Sequence, residues 1–326
     1  VVIGVDGKIN PNATLGYTDG KNYFVPDDWS DGTMRNGLRS EYNVGVSGGD
    51  ERFIYYGSFN YLKDEGVIKN SAFERFSARL NVEYRAKDWL KLGANIAYAN
   101  TVSNYPDEQT NTTSSGNAFY VANQIAPVYP FYVRDVNGNI MYDANNGNPI
   151  YDYGDAVYTD YSRNFMSISH PLSDLTYSTE DYLVDNLNSK FFAEVTPIKG
   201  LKITGTLGLH LDNTRYHYVS SSKYGQSKSY GGSAAQSNDH ISGFSQQYLA
   251  NYKRSFGEHN TDFLFGIESY KYWSETATAQ GQNLYKEGDW TVYNTIDQRL
   301  GSGSAGEWAL NSVFGRINYD FANKYF

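Results

Sequence analysis

Residues 73–86 read Phe-Glu-Arg-Phe-Ser-Ala-Arg-Leu-Asn-Val-Glu-Tyr-Arg-Ala. One alternate set is Phe76, Ala78, Leu80, Val82 and Tyr84; the other is Arg75, Ser77, Arg79, Asn81, Glu83 and Arg85. Successive side chains of a strand point to opposite faces, so one face is apolar and the other carries charge. The pattern holds over ~10 residues, the length of a tilted strand that crosses a bilayer. After Lys87-Asp88 it restarts, with Leu90, Leu92, Ala94, Ile96 and Tyr98 opposite Lys91, Gly93 and Asn95. It returns at Leu201, Ile203, Leu207, Leu209 and Leu211 against Lys202, Thr204, Thr206, His210 and Asp212. Further strands are expected at 41–48, 52–62, 182–196, 240–255, 261–275 and 309–321. That makes nine, with no convincing helix of any length.

A soluble sandwich also alternates, so connection lengths decide the class. In chain order they are short (47–51), longer (63–71), short (87–88), very long (104–181), short (197–200), long (213–239), short (255–260), long (276–308) and short (322–324). Such sorting is expected of an up-and-down meander whose tight turns share one end. Transmembrane barrels are built so, and sandwiches have no reason to be. The expected fold is therefore all-β, an antiparallel up-and-down transmembrane β-barrel. Single-chain bacterial barrels have even counts, so nine strands mean either that a further strand lies in 1–40 or that these are part of a wider barrel. Residues 1–40 read as an extracellular loop and hairpin region, and 41–326 as the partial barrel with its long extracellular loop at about 104–181.

Composition agrees. Aromatic residues make up 16% of the 326 residues, with 31 Tyr, and this suits pleated surfaces better than helices. Tyr61, Tyr84, Trp89, Tyr98 and Tyr319 sit at the ends of apolar faces, where an interfacial girdle lies. The formal charge of −9 argues against a nucleic-acid binder, which needs basic surface. No Cys is present, so disulfides and thiolate chemistry are excluded. No apolar run approaches the ~18 residues of a membrane helix, and mean hydropathy is −0.59. The first residues carry no export signal, as expected of a mature protein or a fragment.

Particular motifs go further. Asp6-Gly7-Lys8-Ile9-Asn10-Pro11-Asn12-Ala13-Thr14-Leu15-Gly16 opens a series. It continues through Asp28-Trp29, Gly37-Leu38-Arg39, Glu41-Tyr42-Asn43-Val44-Gly45-Val46-Ser47-Gly48-Gly49 and Tyr61-Leu62-Lys63-Asp64-Glu65-Gly66. Glu74-Arg75-Phe76-Ser77, Asp88-Trp89-Leu90 and, near the end, Phe314-Gly315-Arg316-Ile317-Asn318-Tyr319 complete it. Together these resemble the SusC/RagA family of TonB-linked outer-membrane proteins of the Bacteroidetes. The match is dense between 4 and 98 and weak in the long loops. The resemblance implies a 22-stranded barrel closed by an N-terminal plug. It also implies import of an oligosaccharide or peptide, driven through TonB, with a SusD-like surface lipoprotein as lid. The plug and the TonB box are expected to lie outside this sequence, which reads as a central barrel segment. The final Tyr325-Phe326 reads either as a terminal aromatic signature or as a turn before a further strand.

The remaining motifs have bland readings. Asp135-Val136-Asn137-Gly138-Asn139 resembles half a calcium loop, but the twelfth position is Asn146 rather than a bidentate Glu. A type I′ hairpin on Asn137-Gly138 is expected instead, with a second on Asp6-Gly7. The five His are scattered; His210 and His217 lie too far apart along one strand for one metal. Gly301-Ser302-Gly303-Ser304-Ala305-Gly306 lacks the Lys and helix of a phosphate loop and reads as a flexible loop tip. No nucleophile elbow, zinc motif or triad appears, so no enzyme, metal or cofactor is expected, and no catalytic or metal residue is assigned. Loop 104–181 concentrates rings: Tyr105, Phe119, Tyr120, Tyr129, Phe131, Tyr132, Tyr142, Tyr151, Tyr153, Tyr158, Tyr161, Phe165 and Tyr177. They either contact substrate or build the loop's own core, because structureless loops of that length are uncommon. The alternatives to import are an adhesive or glycan-binding extracellular β-protein without transport, and a soluble secreted β-domain.

Overall fold

The computed structural model describes residues 5–8, 10–11, 16–106, 115–322 and 324. Two short strands, β1 (Tyr17–Thr18) and β2 (Tyr23–Phe24), pair with each other. The other nine form one sheet: β3 (Arg39–Gly49), β4 (Phe53–Glu65), β5 (Ala72–Lys87), β6 (Leu90–Tyr105), β7 (Thr179–Ile198), β8 (Leu201–Ser220), β9 (Ser233–Phe256), β10 (His259–Leu284) and β11 (Thr295–Phe321). Spatial order follows chain order from β3 to β11, and every pairing is antiparallel. The nine expected strands are present as an all-β up-and-down meander. No helix among the described residues is long and apolar enough to cross a membrane.

The tight connections, at 50–52, 88–89, 199–200 and 257–258, share one end of the sheet, and the longer ones (66–71, 106–178, 221–232, 285–294) share the other. The tight turns use local chemistry. Asp50 Oδ1 accepts from the N–H of Arg52 and Phe53, while Gly200 (φ 91°) and Gly257 (φ 62°) supply the left-handed backbone.

Register sorts the faces. In the ladder, Val46, Gly57, Leu80, Ile96, Ser189, Leu209 and Phe244 are direct neighbours in successive strands and so share one face. Tyr42, Val44, Phe59, Phe76, Leu92, Phe191, Leu207, Phe263, Phe265, Ile267 and Ile317 lie on that same outward face and are solvent-exposed. The opposite face holds Arg75, Arg79, Glu83, Lys91 and Lys190, and some of its charges pair across strands: Lys91 Nζ lies 2.6 Å from Glu83, and Asp262 accepts from Lys253 at 3.3 Å.

The apolar belt runs obliquely to the ladder. It centres on Leu80 in β5, but the residue of β10 in Leu80's row is Lys271, while the β10 belt centres on Phe265, six positions nearer the tight turns. Six residues are ~20 Å of strand, and five strand-to-strand steps are ~24 Å, so the strands lean ~40° from the belt's normal. That is the inclination of a closed barrel wall. The sheet is an arc of such a wall.

Three expectations are corrected. Segments 213–239 and 276–308 are mostly strand, leaving only 221–232 and 285–294 as connections. Beyond the belt both faces meet polar surroundings, so alternation lapses while backbone pairing continues. For the same reason Gly301–Gly306 is not a loop tip but the middle of β11, paired residue by residue with 274–279. Three short helices also exist, described below. The strands expected to flank Asp6-Gly7, the motif residues Asn12–Leu15, and Tyr325-Phe326 lie wholly or largely outside the described residues.

If the outward face meets lipid, Arg at Leu80, Leu92, Leu207 or Leu209 is expected to cost about 2–4 kcal/mol. Arg at Asn81 or Thr206, on the opposite face, is expected to cost much less. Stability of the full-length protein in micelles measures both sets, and equal sensitivity of the two faces would refute the orientation.

Candidate functional site

The long connection folds rather than trailing. Helix α2 (Ala118–Gln124) is capped by Asn117, whose side chain accepts from Tyr120 N–H, and α3 (Pro171–Tyr177) begins on Pro171, whose missing N–H costs nothing there. They pack on α1 (Trp29–Thr33), which Asp28 caps through the N–H of Ser30 and Asp31. Trp29, only 2% exposed, centres a cluster with Val121, Ala122 and Ile125. Its indole N–H donates to Tyr129 O at 2.9 Å, and its ring meets Phe131 edge-on at 4.9 Å. Asp27 Oδ2 accepts from Phe131 N–H, and Phe24 meets Tyr161 edge-on. Segments 17–35 and 115–178 therefore share one core, here termed the cap.

His170 knits the cap together. It is fully buried; its Nε2 donates to Phe131 O at 2.8 Å, the carbonyl being able only to accept. Its ring lies within 4.8–5.3 Å of those of Trp29, Tyr151 and Tyr153. Burial pushes the imidazole pKa down to about 3, reinforced by the Arg163 charge. Burial also pushes the Asp152 carboxyl up from its ordinary value, and raises the phenols of Tyr151, Tyr153 and Tyr161. The cap is tied to the wall: Tyr153 Oη accepts from Gly225 N–H at 2.8 Å, Tyr177 stacks on Tyr224 at 4.3 Å, and Asn70 donates to Leu175 O.

The rings of the long loop thus divide. Tyr151 and Tyr153, with Tyr129, Phe131, Tyr132, Tyr161 and Tyr177 around them, pack inside or against the cap. Tyr105, at the end of β6 beside Tyr182, and Phe119, Tyr142, Tyr158 and Phe165 remain exposed, and the last four are the cap's rings open to a ligand. The 135–139 segment is a hairpin, but its turn is type I followed by Gly138 at φ 85°, not type I′: Gly138 N–H donates to Asp135 O, and Asn137 is not left-handed. Asp135 is consumed by that turn, accepting from the N–H of Asn137 and Asn139. Among the described residues, no three His, Cys, Asp or Glu side chains come together to hold a metal ion.

The inner face of the wall, charged by the alternation in β5, also carries rings. Tyr270, Tyr272 and Trp308 share the charged face, with Trp308 stacked 5.5 Å from Tyr272. Some inward rings lie flat over glycine. A Cβ on Gly93 would meet the Phe192 ring at 2.1 Å, and one on Gly243 the Tyr270 hydroxyl at 2.5 Å, so these glycines make room for the rings. Beside them a hollow of about 380 Å³ is lined by Arg79, Lys190, His210, Gly208 and Gly243. His210 accompanies Asn188 on this face, whereas His217, an odd number of residues on, stacks on Trp290 on the other side.

No protein-family model matches the chain. Among curated proteins it is 28% identical over 310 residues to TonB-dependent receptor P3 of Formosa agariphila, covering 91% of this chain and 28% of that protein. It is 24% identical over 317 residues to TonB-dependent receptor SusC of Bacteroides thetaiotaomicron, covering 91% and 29%. The chain thus spans less than a third of the length of these relatives. Among solved structures it matches the RagAB peptide importer in its closed-closed state, with a TM-score of 0.71 at 23% identity over 93% of this chain and 33% of that one. The chain is related in sequence to TonB-dependent receptors of the SusC type and has the fold of the corresponding arc of such a barrel.

The buried neutral His170 gives the cap an acid limit. An unfolded imidazole takes up a proton near pH 6.5, which the folded site refuses. This group therefore leaves cap stability unchanged above pH ~6.5 and lowers it progressively as the pH falls below that value. Asp152 acts in the opposite sense, since its ionised form is the disfavoured one. Hydrogen exchange of 117–125 and 170–177, corrected for intrinsic rates, is expected to accelerate between pH 6.5 and 4.5, and His170→Phe to flatten that dependence.

Proposed function

We propose that this chain is a stretch of wall and external cap from a TonB-dependent outer-membrane importer of a nutrient, an oligosaccharide or a peptide. The observation that carries the reading is the oblique apolar belt, which suits an outward face against hydrocarbon; it is supported by the tight turns lying at one end and the cap at the other. In this reading the tight turns are periplasmic and the cap is extracellular. A lipid environment tolerates β4 to β10 because each lies between two others and pairs its backbone N–H and C=O groups with them. The relatedness to TonB-dependent receptors supports the import reading and, through the SusC and RagAB likenesses, a SusD-like surface lipoprotein as partner. Energy coupling through TonB belongs to parts of the protein outside this chain.

Division of labour follows from the cap's construction. Its core rings hold shape, and its exposed rings are free to stack on sugar faces or on peptide side chains. Extracellular loops contribute little to the lipid-facing area and ladder that hold a barrel together.

In the full-length protein, the triple change Phe119→Ala, Tyr142→Ala and Tyr158→Ala is expected to lower uptake of the native substrate at least tenfold. Lipoprotein co-purification and the heat-shifted gel mobility of the folded barrel should persist. Trp29→Ala, which empties the cap core, should cost about 3–5 kcal/mol of cap stability and reduce both uptake and docking. Uptake at the normal rate in the triple variant would refute the assignment of these rings. An adhesive protein would bind the ligand but show no TonB-dependent accumulation.

A further inference from the structure

The outward face between β8 and β11 changes character towards the tight turns in a way the belt alone does not require. In the lowest part of the belt, Ala250, Phe265 and Gly315 stand in one row across β9, β10 and β11. Ala250 and Gly315 are small, so a groove of about 470 Å³ opens over them, walled by Leu201, Phe263, Phe265, Tyr252 and Ile317. Directly below, the row Tyr252, Phe263, Ile317 closes the apolar part. The next row is Arg254, Thr261 and Tyr319: one guanidinium and two hydroxyls side by side, where the row above has none but Tyr252.

Arg254 is held in position. Its Nη1 donates to the Tyr252 hydroxyl at 3.1 Å, its guanidinium lies 4.8 Å from the centre of the Phe256 ring, and its carbonyl accepts from Thr261 Oγ1 at 3.0 Å. The Tyr319 hydroxyl meets His259 Nδ1 at 2.7 Å. Lys199 and Lys324 lie in turns at this end, while by the ladder Lys202, Lys253 and Arg316 all lie on the opposite face from Leu201 and Ile317. The carboxylates of these strands, Asp262 and Asp320, also lie on the opposite face, paired with Lys253 and Asn260, and Glu258 sits in the turn below. Arg254 is also exposed, so its charge is open to a ligand. A narrow apolar groove running down into a fixed guanidinium and hydroxyl row is the shape and charge of a diacyl lipid carrying a phosphodiester. Charge-assisted hydrogen bonds from guanidinium to phosphate are strong and directional.

We infer that Arg254, Thr261 and Tyr319, with the groove over Ala250 and Gly315, bind one anionic glycerophospholipid of the leaflet at the tight-turn end. The phosphate sits on the Arg254 row and one acyl chain lies in the groove. This rests on the reading of the outward face as lipid-facing, and the experiment separates the two.

The full-length receptor is extracted from membranes, incubated with dioleoyl phosphatidylglycerol or dioleoyl phosphatidylcholine, and its retained lipid counted by native mass spectrometry. The wild type is expected to retain the anionic lipid at least fivefold more than Arg254→Gln, with Arg254→Lys between them. Tyr319→Phe should weaken retention less, and Ala250→Phe, which fills the groove, should lower retention of both lipids. A fluorophore at Leu207→Cys, quenched by acyl-brominated lipid, reports whether the face meets hydrocarbon. Quenching together with unchanged retention in Arg254→Gln and Ala250→Phe overturns this site and leaves the membrane reading standing. Absence of quenching overturns both.

Discussion

Everything in this wall depends on the pairing of backbone groups between neighbouring strands. A strand between two others spends all its N–H and C=O groups on neighbours, so its side chains alone decide which medium each face meets. Once that holds, the rest is constrained. The outward set must be apolar over the thickness of the hydrocarbon, the inward set can carry charge, and turns must be tight where the chain re-enters at once. The lean of about 40° derived from the offset of Phe265 from Lys271 is the geometric partner of this requirement, because a sheet closes only when its strands are staggered.

The molecule consequently contains two kinds of interior. The cap obeys the rules of a water-soluble domain: Trp29, Val121 and Ile125 are buried, and helix ends are capped by Asp28 and Asn117. The wall has almost no core of that kind; its leucines and phenylalanines stand exposed, and their burial is supplied by whatever surrounds them. A change in solvent therefore acts on the two parts through different chemistry. Acid reaches the cap through His170, whereas the wall is sensitive chiefly to what replaces its lipid.

How much could be read from the residues follows the same division. The strand count, the order of short and long connections and the outward face were legible, because a half-lipid, half-aqueous sheet imposes a period of two on the sequence. Where β9, β10 and β11 rise beyond the belt, neither face is forced to be apolar and the period vanishes; Gly-Ser-Gly-Ser at 301–304 then looks like a loop although its backbone remains fully laddered to 276–279. Gly138 signalled a hairpin correctly, but the choice between turn types depended on Val136 and Asn137, whose backbone no local rule determines. The cap was legible only as a need for a core. That Trp29 packs on Phe131, and that His170 closes the cluster, are contacts made across roughly a hundred intervening residues or more, outside the reach of any periodicity.

The unequal strand lengths have a mechanical meaning. β5 runs only from Leu80 to Ala72 above the middle of the belt, but β10 runs from Phe265 to Leu284. At ~3.3 Å per residue and the same lean, one side of the rim stands roughly 10 Å clear of the hydrocarbon edge and the other roughly 35 Å. The opening is cut on a slant, with a tall parapet over β9–β11 and the cap leaning against the low side. Any partner that is itself fastened to the bilayer by a lipid tail must climb this parapet or approach from the low side. From the tall side its tether needs on the order of ten extended residues before its folded part can reach the mouth. From the low side about three suffice, so the slant favours entry over β3–β6.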